Sequence, residues 1–233
     1  MITTTSNFRF EDLSFADQAK PNKTGGKYVT VAYQNNQVEF QLGSATHFLR
    51  VPFNVDIPPE DPTKPYFKVE GDAHTVSFLR RFEEETIKAA TKHSVAWFKK
   101  QLSEEELKAN FCSSIKEQAP SPNFPDKPDC IKLKIYLTGA RPTLVEVAEK
   151  KVGADGVTKL TRPKLGTVDD IVQGCSVLVL ARVGSGVWFK SKQFGTCLVA
   201  SKILVVKDAS PPQRRILEYD LGDVEMTDAS DGE

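Results

Sequence analysis

The 233-residue chain has no run of 18 or more apolar residues, so no helix is expected to cross a membrane. Its opening MITTTSNFRFEDLS lacks a basic stretch followed by an apolar core, and so does not read as a secretory leader. Signatures of catalysis are also missing: GxxxxGK[ST], GxGxxG, HExxH and GxSxG do not occur. The chain has only three histidines, His47, His74 and His93, and they make no recognisable nucleophile–base pattern with its four cysteines. Cys112, Cys130, Cys175 and Cys197 form no CxxC pair and have no histidine at zinc-finger spacing, so they read as reduced, structural thiols. The expectation is a soluble, intracellular, non-enzymatic protein with no metal and no cofactor. The Asp169–Asp170 pair, which a metal-dependent nuclease could use, reads better as a polar turn capping a short helix.

Net charge is missing too, but this absence hides a split. The 31 basic and 31 acidic residues cancel, yet residues 218–233 hold seven carboxylates and no lysine or arginine. Removing that tail leaves a body, 1–217, with 31 basic and 24 acidic residues, a formal +7. A block of like charge at a terminus stays solvated and often serves as an interaction tail. A basic body suits an anionic partner.

Along the chain, 1–26 is polar and punctuated and reads as a flexible loop. KYVTVAY (27–33), QNNQ and QVEFQL (37–42) carry the alternation and turn of a hairpin. FLRVPFNVDI (48–57) is broken by Pro52, which suits an edge or bulged strand, and YFKVEG (66–71) reads as a short strand. The period then changes. Val76, Leu79, Phe82, Ile87 and Ala90, with His93 and Trp97 continuing, mark an amphipathic helix over about 75–92. Ser103 opens a second helix with Glu106 at the capping-box position, so the helical segment runs over about 75–111. APSPNFPDKPD (119–129) divides the chain.

The second half is β-rich. CIKLKIYL (130–137) alternates, TLVEVAEKK leads into the Asp-Gly turn of VGADGV, and 176–207 reads as three strands joined by GSG and KSKQFG. Short strands at this spacing argue a barrel or sandwich. The fold class is therefore mainly β (α+β): an OB-like β-barrel over 27–217 with one or two inserted or capping helices, followed by a disordered acidic tail.

Proteins that hold single strands combine a positive groove with aromatic faces on which bases stack. GVWFKSKQFG (186–195) puts Trp188, Phe189 and Phe194 beside Lys190 and Lys192 on a strand–turn–strand. Successive strand residues face opposite sides, so Trp188 and Phe189 cannot both be core. Arg182 precedes this hairpin, and Lys132, Lys134 and Tyr136 share one face of an alternating strand. Taken singly, a Lys-x-Lys face is an ordinary solvated surface, and a lone tryptophan is more often core. Trp97 reads as a packing residue at a helix end. The combination of β pattern, basic body and acidic tail shifts the balance toward nucleic acid.

FLRVPF, AWFKKQLSEEELKANF and GVWFKSKQFGTCLVASKILVVK together resemble the single-stranded DNA-binding proteins of nucleocytoplasmic large DNA viruses, particularly those of algae. The organisation is also similar to bacteriophage single-stranded DNA-binding proteins, which have an OB-fold and an acidic C-terminal tail. The resemblance implies sequence-independent binding of single-stranded DNA in replication or recombination, within the host nucleus or cytoplasm of a viral protein. It also implies contact with replication proteins through Tyr219, Asp220, Leu221, Asp223, Glu225, Asp228, Asp231 and Glu233. RNA as the strand and a homodimer are both left open. The rival expectation is a protein-interaction or virion structural module of β-sandwich type, and a weaker one is a histone-chaperone-like use of the tail.

Overall fold

A computed structural model describes residues 3–22, 25–44, 46–118, 127–152 and 158–208. The acidic tail, most of the proline segment and the Asp-Gly turn of VGADGV lie outside the described residues.

The first 26 residues are not all loop, which corrects the expectation. After a 3-10 turn at Phe10–Asp12 come β1 (Leu13–Phe15) and β2 (Lys20–Pro21). Apolar side chains anchor this stretch: Phe8 is buried and stacks on Tyr33 with ring centroids 4.2 Å apart, and Leu13 and Phe15 pack on the core. KYVTVAY breaks at Thr30 into β3 (Lys27–Val29) and β4 (Val31–Tyr33). β4 turns into β5 (Asn36–Gln37) through Gln34 and Asn35, both left-handed at φ 49° and 63°, the signature of a type I′ hairpin. These strands form a small sheet in the order β1–β4–β5. The chain then crosses into the large sheet with β6 (Glu39–Leu42), β7 (Leu49–Arg50) and β8 (Tyr66–Glu70).

The helical segment follows closely where expected. Helix α1 (Ala73–Lys92) is capped by Asp72, which accepts from the Thr75 N–H at 2.7 Å. It buries Phe78, Leu79, Phe82, Ile87 and Ala90 along one stripe, each large side chain contributing about 1.5–3 kcal/mol of hydrophobic stabilisation. Glu83 on the same stripe is buried as well, and its carboxylate accepts from Ser113 Oγ, Ser114 Oγ and the Ser114 N–H. The expected run-on through His93 and Trp97 is instead a separate short helix, α2 (Ser94–Phe98), which ends at Lys99 in the left-handed region (φ 62°). Trp97 packs as expected: it is fully buried and donates its indole N–H to Ala16 O at 3.2 Å. Helix α3 (Glu104–Asn110) has its full capping box between Ser103 and Glu106.

Then follow β9 (Phe111–Cys112), β10 (Ile115–Lys116), β11 (Cys130–Lys134), β12 (Leu144–Val152), β13 (Thr158–Leu160) and β14 (Lys164–Leu165). A 3-10 turn at Val168–Asp170 leads into two long strands, β15 (Ser176–Lys190) and β16 (Gln193–Asp208). This corrects the three-strand reading of 176–207, because GSG is no turn. It lies inside β15 as a bulge, where the register slips between Val183 and Val187. Gly186 has φ +107°, and a Cβ there would collide with the Val29 carbonyl, so the site admits only glycine comfortably.

The large sheet runs β10–β11–β16–β15–β3–β2, with β8 on β11, β12 and β9 on β16, and β6 and β7 on β15. Its inner face joins α1 and α2 in a core that includes Val179, Val183, Leu198, Ile203, Ile131, Leu133 and Phe40. The molecule is thus mainly β with a few helices. No described helix is long and apolar enough to cross a membrane.

Candidate nucleic-acid interface

The outer face of the large sheet is set by strand alternation. In β11, Ile131 and Leu133, with Ile135 beyond, are fully buried, so Lys132, Lys134 and Tyr136 turn the other way. Across the pair, Lys132 faces Lys68 and Lys134 faces Tyr66. On the other side, Lys134 pairs with Val199, Val199 with Arg182, and Arg182 with Glu39. Directly opposed residues put their side chains on the same side of a sheet. Tyr66, Lys134, Val199, Arg182 and Glu39 therefore form one row across five strands.

Aromatic rings and cations interleave along this face. Lys132 Nζ sits 3.5 Å from the centroid of the Tyr66 ring, and the Arg182 guanidinium lies 5.6 Å from that of Tyr136. Lys68 lies 5.5 Å from the ring of Phe53, a phenylalanine that is 47% exposed. Val199 is fully buried but outside the core cluster, which makes it the floor beneath these longer side chains. Burial pushes the Cys197 thiol up, while Lys134, Lys132 and Arg182 pull it down. Beside them a cavity of about 480 Å³ is lined by Lys64, Tyr136, Gly139, Arg141 and Arg182, among others.

The cations are crowded rather than paired. Among the described residues, no carboxylate lies within ion-pair distance of Lys68, Lys132, Lys134 or Arg182. Burial holds the Lys132 ammonium below the usual lysine range, and the charges of Lys134, Lys116 and Lys68 push it further; Asp56 opposes them. Asp56 already accepts the Tyr66 hydroxyl. An anion laid on this face would relieve the crowding.

The hairpin of β15 and β16 divides its aromatics. Trp188 is half-buried on the outer face, opposite Gly195 on one side and Tyr28 on the other, with Lys20 next across. A Cβ on Gly195 would lie 3.3 Å from Trp188 Cζ2 and 2.5 Å from the Cys112 carbonyl oxygen, so the indole covers bare backbone. Phe189 and Phe194 point inward, which corrects the expectation that they offer stacking faces. Phe194 is fully buried with its ring centroid 5.1 Å from that of Phe98 and 5.3 Å from that of Phe111, and Phe189 meets Phe98 at 5.3 Å. Helix α2, with Phe98, and strand β9, with Phe111, bring the rings that seal this side. Lys190 continues the outer face from Trp188, and Lys192 sits exposed in the turn beside Ser191 (φ 54°).

Of the residues expected at the site, the fold gathers Lys132, Lys134, Tyr136 and Arg182, places Trp188 and Lys190 farther along β15, and withdraws Phe189 and Phe194. Sequence reasoning passed over Tyr66, Lys68, Phe53 and Arg141. The first two had a readable signal, since YFKVE alternates just as CIKLK does. The tail residues from Tyr219 to Glu233 lie outside the described residues.

Residues 63–129, spanning β8 to β10 and the three helices, match a family of unknown function (DUF5871). No curated protein matches the chain. Among solved structures the chain is similar to the single-stranded DNA-binding protein from bacteriophage Enc34, at 13% identity and a TM-score of 0.41, covering 88% of this chain and 96% of that one. The Enc34 protein in complex with single-stranded DNA gives 14% identity and a TM-score of 0.41, covering 83% and 97%. For gp2.5, a single-stranded DNA-binding protein encoded by bacteriophage T7, the values are 15%, 0.38, 83% and 100%.

Proposed function

We propose that the outer face of β8, β11, β16 and β15 binds single-stranded DNA without regard to sequence. The observation that carries this reading is the cluster of Lys68, Lys132, Lys134 and Arg182, unpaired with any described carboxylate and interleaved with Tyr66 and Tyr136. Phosphates meet the cations, bases stack on the half-buried rings, and Trp188 with Lys190 extends the path. Between Val199 and Gln193 the outer face of β16 runs for about 20 Å, room for a few nucleotides.

The wider reading follows the sequence resemblance. The body, 27–217, is one OB-like barrel with an inserted helical segment, it catalyses nothing, and it acts inside the cell in DNA replication or recombination, as in the large DNA viruses. The seven carboxylates of 218–233 compete with phosphate for the groove and, once displaced, dock on replication proteins through Tyr219, Leu221 and their acidic neighbours. A second reading, a protein-interaction module, draws on the exposed Leu144, Leu160 and Leu165, the last 81% exposed.

Fluorescence anisotropy with labelled oligo-dT, duplex DNA and RNA at two salt concentrations tests the proposal. Tight oligo-dT binding that weakens steeply with salt is expected, and absent or salt-independent binding rejects it.

A further inference from the structure

At one end of the cross-sheet row the groove cation Arg182 meets polar groups that the groove does not use. Glu39 and Arg182 are register partners on β6 and β15, so both side chains leave the sheet on the same face. They nevertheless form no ion pair. Arg182 turns onto Tyr136, and the Glu39 carboxylate meets no hydrogen-bond or ion-pair partner among the described residues. Next to them is a cavity of about 580 Å³ lined chiefly by Asn36, Gln37, Glu39, Arg141, Arg182 and Ser201, a volume in the range of small-ligand sites. Ser201 Oγ is buried there with no hydrogen-bond partner. Ser201 is the residue at which β16 slips register, between Ala200 and Lys202. Arg141 is tied to Gln37, which fixes the far wall.

A carboxylate, a guanidinium and a buried hydroxyl, none with a hydrogen-bond partner among the described residues, thus border one cavity. The buried Ser201 hydroxyl without a partner destabilises the fold, while the partly exposed Glu39 and Arg182 are open to a ligand with matching donors and acceptors. We propose that this cavity, at the edge of a groove that otherwise reads no sequence, takes a single guanine base. Guanine offers two adjacent donors, N1–H and the exocyclic amino group, to the Glu39 carboxylate, and two acceptors, O6 and N7, to an arginine fork. Thymine has a single N–H donor and adenine has no acceptor pair for the fork, so neither satisfies both charged groups. The inference rests on the groove reading for how the base arrives, swung off the strand past Tyr136. A free guanosine nucleotide presents the same edge.

The test uses the full chain and anisotropy titrations with labelled oligo-dT and with equal-length oligomers carrying one dG, dA, dC or deoxyinosine, the last lacking the exocyclic amino group. The dG oligomer should bind about tenfold tighter than oligo-dT, and deoxyinosine should lose part of that gain. Glu39→Gln should abolish the gain without weakening oligo-dT binding, and Ser201→Ala should reduce it; unfolding midpoints verify that both variants fold. Equal binding of the dG and all-dT oligomers overturns the inference while leaving the groove reading intact. If oligo-dT does not bind at all, the groove reading fails and calorimetry with GMP alone decides the cavity. GMP binding lost in Glu39→Gln supports it, and no GMP binding overturns it.

Discussion

The Lys132 ammonium lies 3.5 Å from the centre of the Tyr66 ring while Lys132 faces Lys68 directly across the strand pair. A cation is held on an aromatic face beside a like charge, with no described carboxylate in ion-pair range. The pairing of β8 with β11 sets the two lysines side by side, and an anionic partner would offset their repulsion.

Lys132→Ala and Lys134→Ala should each weaken oligo-dT binding. The slope of log affinity against log salt should fall by about 0.7 for each lysine removed, as one fewer phosphate is neutralised on a single strand. Salt titrations of wild type and variants read this directly, and an unchanged slope would take the lysines out of the interface.

Trp188 and Phe194 should separate binding from stability. Trp188→Ala should cost about 1–3 kcal/mol of oligo-dT affinity through lost stacking, with a small effect on unfolding. Phe194→Ala empties a fully buried aromatic site and should cost about 3–5 kcal/mol of stability. Urea unfolding and anisotropy on the same two variants distinguish these outcomes.

Binding should take up protons at alkaline pH. The Lys132 pKa is lowered in the free protein, first by burial and then by Lys134 and Lys116, so part of Lys132 is neutral as pH climbs through that lowered value. A bound phosphate favours the charged form and restores the proton. Affinity should therefore fall as pH rises through this window. Calorimetry at alkaline pH in buffers of different ionisation enthalpy should show net proton uptake, absent in Lys132→Ala.

Gly186→Ala should destabilise the protein by about 2–4 kcal/mol, combining strain at φ +107° with displacement of β3 at Val29. Thermal unfolding measures it. Gly139, also at positive φ but with open space where a Cβ would stand, should feel backbone strain alone and lose less on the same change.

Removing 218–233 should tighten oligo-dT binding most at low salt, where seven tethered carboxylates compete best. Equal affinities for the full chain and the truncated one across the salt range would deny the tail that role.

Local signals were legible wherever alternation or capping decided the outcome. CIKLKIYL declared its buried and exposed faces, and Ser103 with Glu106 declared a helix start. GSG misled because a bulge and a turn share the same composition. What distinguishes them is the approach of Val29, a residue far away in the sequence. Phe194 misled for a similar reason, since α2 and β9, folding back over the hairpin, bury it. The partnership of Lys68 with Lys132 depends on the pairing of β8 with β11, which no local pattern encodes. The cavity at Glu39 needs four separate segments to meet.

Strand β15 also sets a condition on how the chain can mature. Leu42 pairs with Val179 and Val29 with Val187, so the early strands wait for partners made much later. At about 5–20 residues per second, that interval is roughly 7–30 s of synthesis. Until it ends, β6 and β7 have no ladder to join, and their apolar sides stay available to chaperones or to another nascent copy. The large sheet cannot close before β15 has been made, and long-range pairing of this kind folds slowly once it starts.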